Sequence, residues 1–225
     1  MKRVAALLVF VFAVACPAHA DWKGPYVGAG VGAFWGVSNW TPYESFAPFP
    51  ATPLRMDFDG VLFSGKFGYR TQAGNFVFGV EGEYSKGHVD GSAPCIGDAT
   101  ALTCETELRS QVKVTGQMGY SLGDWLPYLS AGYVQASVRA TALDASSVPQ
   151  LIGKGTHNGV LVGGGLDYRI SRWVSIGVEY QHIWYGSDIY GMSPVGLADV
   201  GPFKTKIALD PDYVGINVKV RGDGN

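Results

Sequence analysis

The feature that most constrains the fold of this chain is the alternation of apolar residues with glycines and polar residues after residue 20. In residues 26–37, Val27 and Ala29 alternate with Gly28 and Gly30, and a period of two recurs in later segments. That period is the period of a β-strand whose two faces differ. No uninterrupted apolar segment of this region approaches the ~18 residues that a membrane helix needs. The sequence therefore predicts an all-β chain.

The first 20 residues have the pattern of a secretory signal peptide. A positively charged head precedes an apolar stretch, and Ala18 and Ala20 fit the small-residue cleavage site. Cys16 loosely resembles the lipidated cysteine of a lipoprotein signal, but the large aliphatic residue usual three places before it is absent. We therefore expect residues 1–20 to be removed as a signal peptide and residues 21–225 to form one domain.

The alternation divides the exported part into eight strand segments separated by connections of two lengths. The predicted strands are residues 26–37, 60–70, 76–85, 108–122, 126–139, 158–170, 173–185 and 213–221. Short connections lie at 71–75, 123–125 and 171–172, and long ones at 38–58, 86–106, 140–157 and 186–203. Bacterial membrane barrels alternate short periplasmic turns with longer external loops in this way. The sequence thus predicts an eight-stranded antiparallel up-and-down transmembrane β-barrel.

Charged residues indicate which face of each predicted strand lines the barrel interior. They gather on the face opposite the aromatic residues, at Lys66, Glu81, Glu83, Arg109, Lys113, Asp167, Glu179 and Lys219. Both signs are present, so the charges can pair in the lumen, where an unpaired charge would be costly. The opposite faces are nearly free of charge and suit contact with lipid.

Aromatic residues on the outward faces gather beside the short connections. Tyr69, Phe76, Tyr120, Tyr128 and Tyr168 are expected to form an aromatic girdle at one membrane interface. In the fifth strand, this assignment places Tyr128, Val134, Ala136 and Val138 outward and Gln135, Ser137 and Arg139 inward.

Cys95 and Cys104 are the two cysteines that remain after the signal peptide. In an exported chain, two cysteines within one loop-like stretch favour a disulfide. Zinc binding is the weaker interpretation, because two thiolates without a nearby histidine pair leave the site incomplete. We expect no metal site and no cofactor.

The inward carboxylates and the histidines are the candidates for catalysis. Carboxylates can act as a general acid and base, but equally abundant basic partners favour a network of salt bridges. An enzyme that modifies lipid A needs a histidine and a serine placed together, and His182 with Ser187 is the best remaining pair. We expect a structural protein without a catalytic site, with a lipid A-modifying enzyme or a narrow porin for small solutes as alternatives.

Aromatic residues in the first long connection are the candidates for ligand binding. Trp40, Tyr43, Phe46 and Phe49 lie among prolines there, and exposed loop aromatics indicate a binding surface or a membrane anchor. The expected partners are outer-membrane lipid, lipopolysaccharide and a host or other surface ligand. Without its signal the chain carries 15 basic and 19 acidic residues, which argues against a nucleic-acid surface.

The opening of the exported part, Trp22 to Gly32, and the segment from Gly163 to Tyr180 resemble a known family. They are similar to small alphaproteobacterial outer-membrane barrel proteins, described as porin-like or immunogenic. The resemblance implies an eight-stranded, OmpA-like membrane domain in the bacterial outer membrane and insertion by the barrel-assembly machinery, without naming a ligand. Such proteins usually end on an aromatic residue, whereas this sequence ends on Asn225.

Overall fold

A single antiparallel sheet forms the structure, which is a computed structural model describing residues 21–42, 54–94, 103–144, 146–194 and 203–222. The strands are β1 (Gly24–Pro42), β2 (Leu54–Ala73), β3 (Phe76–Pro94), β4 (Thr103–Tyr120), β5 (Trp125–Leu143), β6 (Pro149–Arg169), β7 (Val174–Tyr185), β8 (Asp188–Pro194) and β9 (Phe203–Arg221). No helix among these residues is long and apolar enough to cross a membrane.

The sheet closes on itself, because β1 pairs with both β2 and β9. β7 and β8 together fill the seventh position of the barrel. β7 pairs with β9 as far as His182↔Asp212, and β8 resumes the pairing with β9 at Asp188↔Ile207. Since every other neighbour in the sheet is the next strand in sequence, the predicted eight-stranded up-and-down barrel is confirmed.

Short turns close one end of the barrel, which we call the turn end. Gly74 and Gly123 lie in two of these turns with φ angles of 60° and 68°. That left-handed region is open to glycine without the steric cost of a Cβ. In the third turn, the Ser171 hydroxyl accepts a hydrogen bond of 3.1 Å from the backbone N–H of Val174.

The strands are much longer than the sequence predicted. Parts of all four predicted long loops belong to strands instead. Six of the nine strands have 19 to 21 residues, about twice the 9–11 that cross a bilayer. The predicted loop at residues 140–157 is mostly strand, with a tight turn between β5 and β6. There the backbone N–H groups of Val148 and Ser146 donate to Asp144, and these bonds hold the pKa of its carboxyl below the usual value.

In the half of the barrel nearer the turns, which we call the turn half, the outer wall is apolar. Its exposed side chains include Val27, Phe63, Phe67, Val80, Val114, Leu129, Val160, Val178 and Ile216. Polar and charged side chains face the lumen in this half. Four of the five predicted girdle residues, Tyr69, Phe76, Tyr120 and Tyr168, are exposed beside the turns.

In the other half, the loop half, the polarity of the wall is reversed. A cluster of apolar side chains fills the interior, with Phe34, Trp40, Phe58, Leu62, Leu108, Val138, Ile183 and Leu209 among its members. Polar residues such as Arg55, Asp57, Lys86, Gln135 and Lys154 are exposed on the outside. The wall therefore has a lipid-compatible exterior in one half and a water-compatible exterior in the other.

Two of the predicted faces need correction, and the first is that of β5. On β5, Tyr128, Val134, Ala136 and Val138 are buried inside the barrel, while Gln135 and Ser137 are exposed. The prediction was wrong because it treated apolar residues as outward along the whole strand. In the loop half, Val134, Ala136 and Val138 face the interior cluster, whereas Tyr128 faces the lumen charges of the turn half.

Arg109 is the second correction. The β4–β5 pairing shifts register between Leu108 and Ser110, which leaves Arg109 as an extra residue in a β-bulge. Its guanidinium lies outside the barrel, 3.3 Å from Glu107. A bulge reverses the inside–outside alternation, so simple period-two counting assigned Arg109 to the lumen.

We predict that an arginine is tolerated on the outer wall only in the loop half. Val114→Arg places a charge in the apolar band and should cost about 2–4 kcal/mol of unfolding free energy. Gln135→Arg, on the exposed exterior of the loop half, is the matched control and should cost less than about 0.5 kcal/mol. Urea titration of both variants folded into lipid vesicles measures the difference. Equal costs would contradict the position assigned to the apolar band.

Candidate functional site: the filled lumen

Trp22 closes the lumen at the turn end. Its side chain is 2% exposed and packs with Val77 and Leu126. The guanidinium carbons of Arg169 and Arg221 each lie 5.5 Å from the centre of its ring. The backbone N–H of Trp22 donates to the Gln72 side chain at 2.8 Å, and its indole N–H donates to a turn carbonyl at 3.3 Å. The segment before β1 is thereby fixed across the barrel mouth.

Above Trp22, Asp167 is the centre of the first charge cluster. Its carboxylate accepts from the Arg70 guanidinium at 2.8 Å and from the Lys219 ammonium at 2.9 Å. The Arg70 guanidinium also donates to Gln117 at 2.9 Å and lies 5.0 Å from the Tyr26 ring centre. All of these side chains come from different strands, so the cluster ties opposite walls together.

Lys66 is the centre of the second charge cluster. Its ammonium contacts Glu179 at 2.6 Å, Glu83 at 2.7 Å and Glu81 at 3.4 Å. Glu83 also accepts from Lys113 at 3.0 Å. The Lys66–Glu179 contact joins β2 to β7 across the lumen, because β1 and β9 lie between these strands in the wall.

Tyrosine hydroxyls and amides complete the hydrogen bonding of the two clusters. Tyr26 donates to Glu81 at 2.8 Å and Tyr128 donates to Glu179 at 3.4 Å. The Lys113 ammonium donates to Gln181 at 2.8 Å. Tyr128 therefore has a lumen role that its predicted place in the girdle did not include.

The buried charges balance within the described residues. Four carboxylates and four cations are buried there, namely Glu81, Glu83, Asp167, Glu179, Lys66, Arg70, Lys113 and Lys219. Seven of them belong to the network that the sequence predicted. Arg70 is buried in the lumen in place of Arg109. The inward position of Arg70 in the alternation of β2 was the sequence signal from which this could have been predicted. Because each of these four carboxylates has a basic partner, the arrangement fits a structural network.

Apolar side chains close the lumen above the charges. The rings of Phe34 and Phe58 lie 5.9 Å apart, and the Tyr213 ring centre lies 4.5 Å from the Lys113 ammonium. Near Trp22, a cavity of about 10 Å³ lies between Tyr26, Arg70 and Lys219. That volume is at the lower limit for one water molecule. The described lumen is thus filled from the turn end into the loop half.

The residues proposed for ligand binding and for the disulfide are only partly described. Trp40 is buried in the loop half, where its indole N–H donates to Ser38 and Thr106 at 3.1 Å each. It is therefore a packing residue and not an exposed loop aromatic. Tyr43, Phe46 and Phe49 lie outside the described residues, and so does Cys95. Cys104 is 7% exposed, and its pairing with Cys95 stays a prediction.

His182 lies on the outer wall and not in the lumen. Its Nδ1 is 2.8 Å from Asp212 and its Nε2 is 3.2 Å from Asp210. Tyr180 donates to the same Asp212 oxygen at 2.6 Å. Ser187 is exposed, and among the contacts of the described residues none joins it to His182. The structure gives both imidazole nitrogens carboxylate partners and does not form the histidine–serine pair considered above.

Comparison with known proteins identifies the type of barrel. The family model for the outer membrane protein beta-barrel domain matches residues 4–221. Among solved structures, the outer membrane protease OmpT from Escherichia coli matches with a TM-score of 0.59 and 9% identity, over 92% of this chain and 99% of that chain. OprG from Pseudomonas aeruginosa matches with a TM-score of 0.48 and 13% identity, over 89% of this chain and 97% of that chain.

Neisserial surface protein A matches over 89% of this chain and 98% of its own, at 13% identity and a TM-score of 0.42. Comparison with curated proteins finds no match. At 9% identity, the match to OmpT supports the fold alone.

We predict that removing the Lys66 ammonium destabilises the barrel strongly. Lys66→Met leaves three buried carboxylates short of a partner and should cost about 3–5 kcal/mol of unfolding free energy. Lys86→Met, a lysine exposed on the outside of β3, is the matched control and should be within about 0.5 kcal/mol of the parent. Urea titration in lipid vesicles gives both values. A Lys66→Met cost as small as the control would show that the lumen is hydrated.

Proposed function

The chain belongs to the outer membrane protein beta-barrel domain family, and from this premise we propose that it is a structural and surface-interaction protein of the bacterial outer membrane. Its barrel would act as a closed support that holds the connections of the loop end outside the cell. The proposal includes neither a catalytic site nor an open pore. Its expected contacts are lipopolysaccharide and outer-membrane lipid around the wall, and a host or other surface ligand at the loop end.

The observation that carries the proposal is the filled lumen. An eight-stranded barrel has an interior just wide enough for its own side chains. Here Trp22, two charge clusters and an apolar cluster occupy it in succession. A solute crossing along the axis would have to displace charges that are paired across the lumen. This favours a closed support over the narrow porin that the sequence left as an alternative.

The position of the water-compatible wall supports a role at the cell surface. Membrane barrels place their short turns in the periplasm and their longer connections outside. The loop half, with exposed Arg55, Asp57, Lys86 and Lys154, would then extend beyond the outer leaflet. Its apolar interior keeps the extended wall folded, and the connections that include Tyr43, Phe46 and Phe49 would be held away from the membrane for binding.

The finer family assignment is part of the proposal. The likeness to small alphaproteobacterial, OmpA-like barrels rests on the sequence of Trp22 to Gly32 and of Gly163 to Tyr180. The signal peptide at residues 1–20, insertion by the barrel-assembly machinery and a Cys95–Cys104 disulfide belong to the same proposal. Exported barrels need the first two, and a disulfide would restrict one connection at the loop end.

A lipid A-modifying enzyme is the competing function. It would require His182 to leave its carboxylate partners and to meet a hydroxyl nucleophile, and the distances of 2.8 and 3.2 Å to Asp212 and Asp210 favour a structural role instead. Mass spectra of lipid A from cells with and without the gene test this point. Unchanged spectra are expected, and a change in acylation would contradict the proposal.

We predict that the protein does not conduct ions in steady steps. Purified protein inserted into planar lipid bilayers should give no reproducible conductance level, because the charges that line its lumen are paired with one another. Heat-modifiable migration on gels, checked on the same preparation, shows that the inserted protein is a folded barrel. Uniform and lasting conductance steps from folded protein would overturn the closed-support proposal.

A further inference from the structure

Asp21 and Trp22, which precede β1 and belong to no strand, reach all three short turns of the turn end. The Trp22 indole N–H donates to the Gly123 carbonyl in the β4–β5 turn, and its backbone N–H donates to Gln72 beside the β2–β3 turn. The Asp21 carbonyl accepts from Arg169, at the start of the β6–β7 turn, at 3.3 Å. One short segment therefore connects the three turns.

The same segment also contacts the end of β9, where the barrel closes. Arg221 is the last residue of β9, and it pairs with Tyr26 of β1 in the ladder that closes the sheet. Its guanidinium donates to the Asp21 carbonyl and lies 5.5 Å from the Trp22 ring centre. The binding place of the segment is therefore complete only when β1 and β9 lie side by side.

The two arginines that contact the segment are themselves held by the turns. Arg169 donates to the Asp124 carboxylate from two nitrogens, at 2.7 and 3.0 Å. Arg221 donates to the Arg172 carbonyl at 3.2 Å. Arg169 thus joins the β6–β7 turn to the β4–β5 turn, and Arg221 joins β9 to the β6–β7 turn. Because both guanidiniums contact the Trp22 ring, the position of this ring depends on all of these connections.

The contacts of the segment span long separations in the chain. Its hydrogen-bond partners lie 50, 101, 148 and 200 residues away. Closing such long loops costs conformational entropy that a single contact does not offset. The strand ladder brings the partners together, whereas the segment lies outside the ladder. Its contacts therefore add to a barrel that has already closed.

We propose that Asp21 and Trp22 form a latch, which docks after the barrel has closed and then slows its reopening. The latch sets the lifetime of the folded barrel in the membrane and not the rate at which the barrel assembles. Interactions that are absent from the folding transition state act on the unfolding rate in this way. This inference goes beyond the closed-support proposal and does not depend on it, since it concerns only how the barrel stays closed.

Folding and unfolding rates of the protein in lipid vesicles, measured over a range of urea concentrations, test the latch. Trp22→Ala should unfold at least about a hundredfold faster than the parent, because it removes a buried tryptophan. Its folding rate should stay within about threefold of the parent rate. Trp22→Phe keeps an aromatic ring and should unfold at an intermediate rate. Lys23→Ala is the matched control, because none of these contacts involves the Lys23 side chain, and both of its rates should stay within about twofold of the parent rates.

Three results would overturn the proposal. Slower folding of Trp22→Ala with an unchanged unfolding rate would mean that the segment docks before the barrel closes. Unchanged rates in both directions would show that the segment does not hold the turn end. Failure of both Trp22 variants to reach the folded form, as judged by heat-modifiable migration on gels, would show that the segment is required for assembly.

Discussion

The pairing of buried charges inside the barrel is the interaction on which the rest of the structure depends. Four carboxylates and four cations are withdrawn from water in the described lumen, and each would be strongly destabilising without its partner. The contacts run across the lumen, as between Lys66 and Glu179, and hold the opposite walls of the barrel at a fixed separation. Since the charges are neutralised inside, the outer wall of the same strands is free to be apolar.

The reversal of wall polarity along the strands marks the membrane boundary. Below it, apolar residues such as Phe67 and Val114 are exposed; above it, apolar residues such as Phe58 and Val138 are buried inside the barrel. One continuous sheet therefore serves as a membrane protein in one half and as a water-exposed barrel in the other. The proposed surface role rests on this division.

The alternation in the sequence predicted the strand number, the short turns and most of the lumen charges, because a period of two is a local property of each strand. It could not predict the long strands, because the same period continues through the boundary while the apolar face changes sides. The prediction placed Arg109 in the lumen because a single bulged residue reverses the alternation of β4. It assigned the wrong face of β5 because apolar residues occur on both faces of that strand. The sequence could not predict that Trp22 closes the turn end. This role depends on contacts with Arg169 and Arg221, which are far away in the sequence.

A double-mutant cycle between Lys66 and Glu179 tests the central claim most directly. These residues approach to 2.6 Å across the lumen and lie on strands that are not neighbours in the wall. Unfolding free energies of Lys66→Met, Glu179→Gln and the double variant should give a coupling of about 1–3 kcal/mol, in the upper part of the range for residues within one salt-bridge network. Additivity within about 0.5 kcal/mol would mean that the two side chains do not meet, and that the lumen is not closed by paired charges.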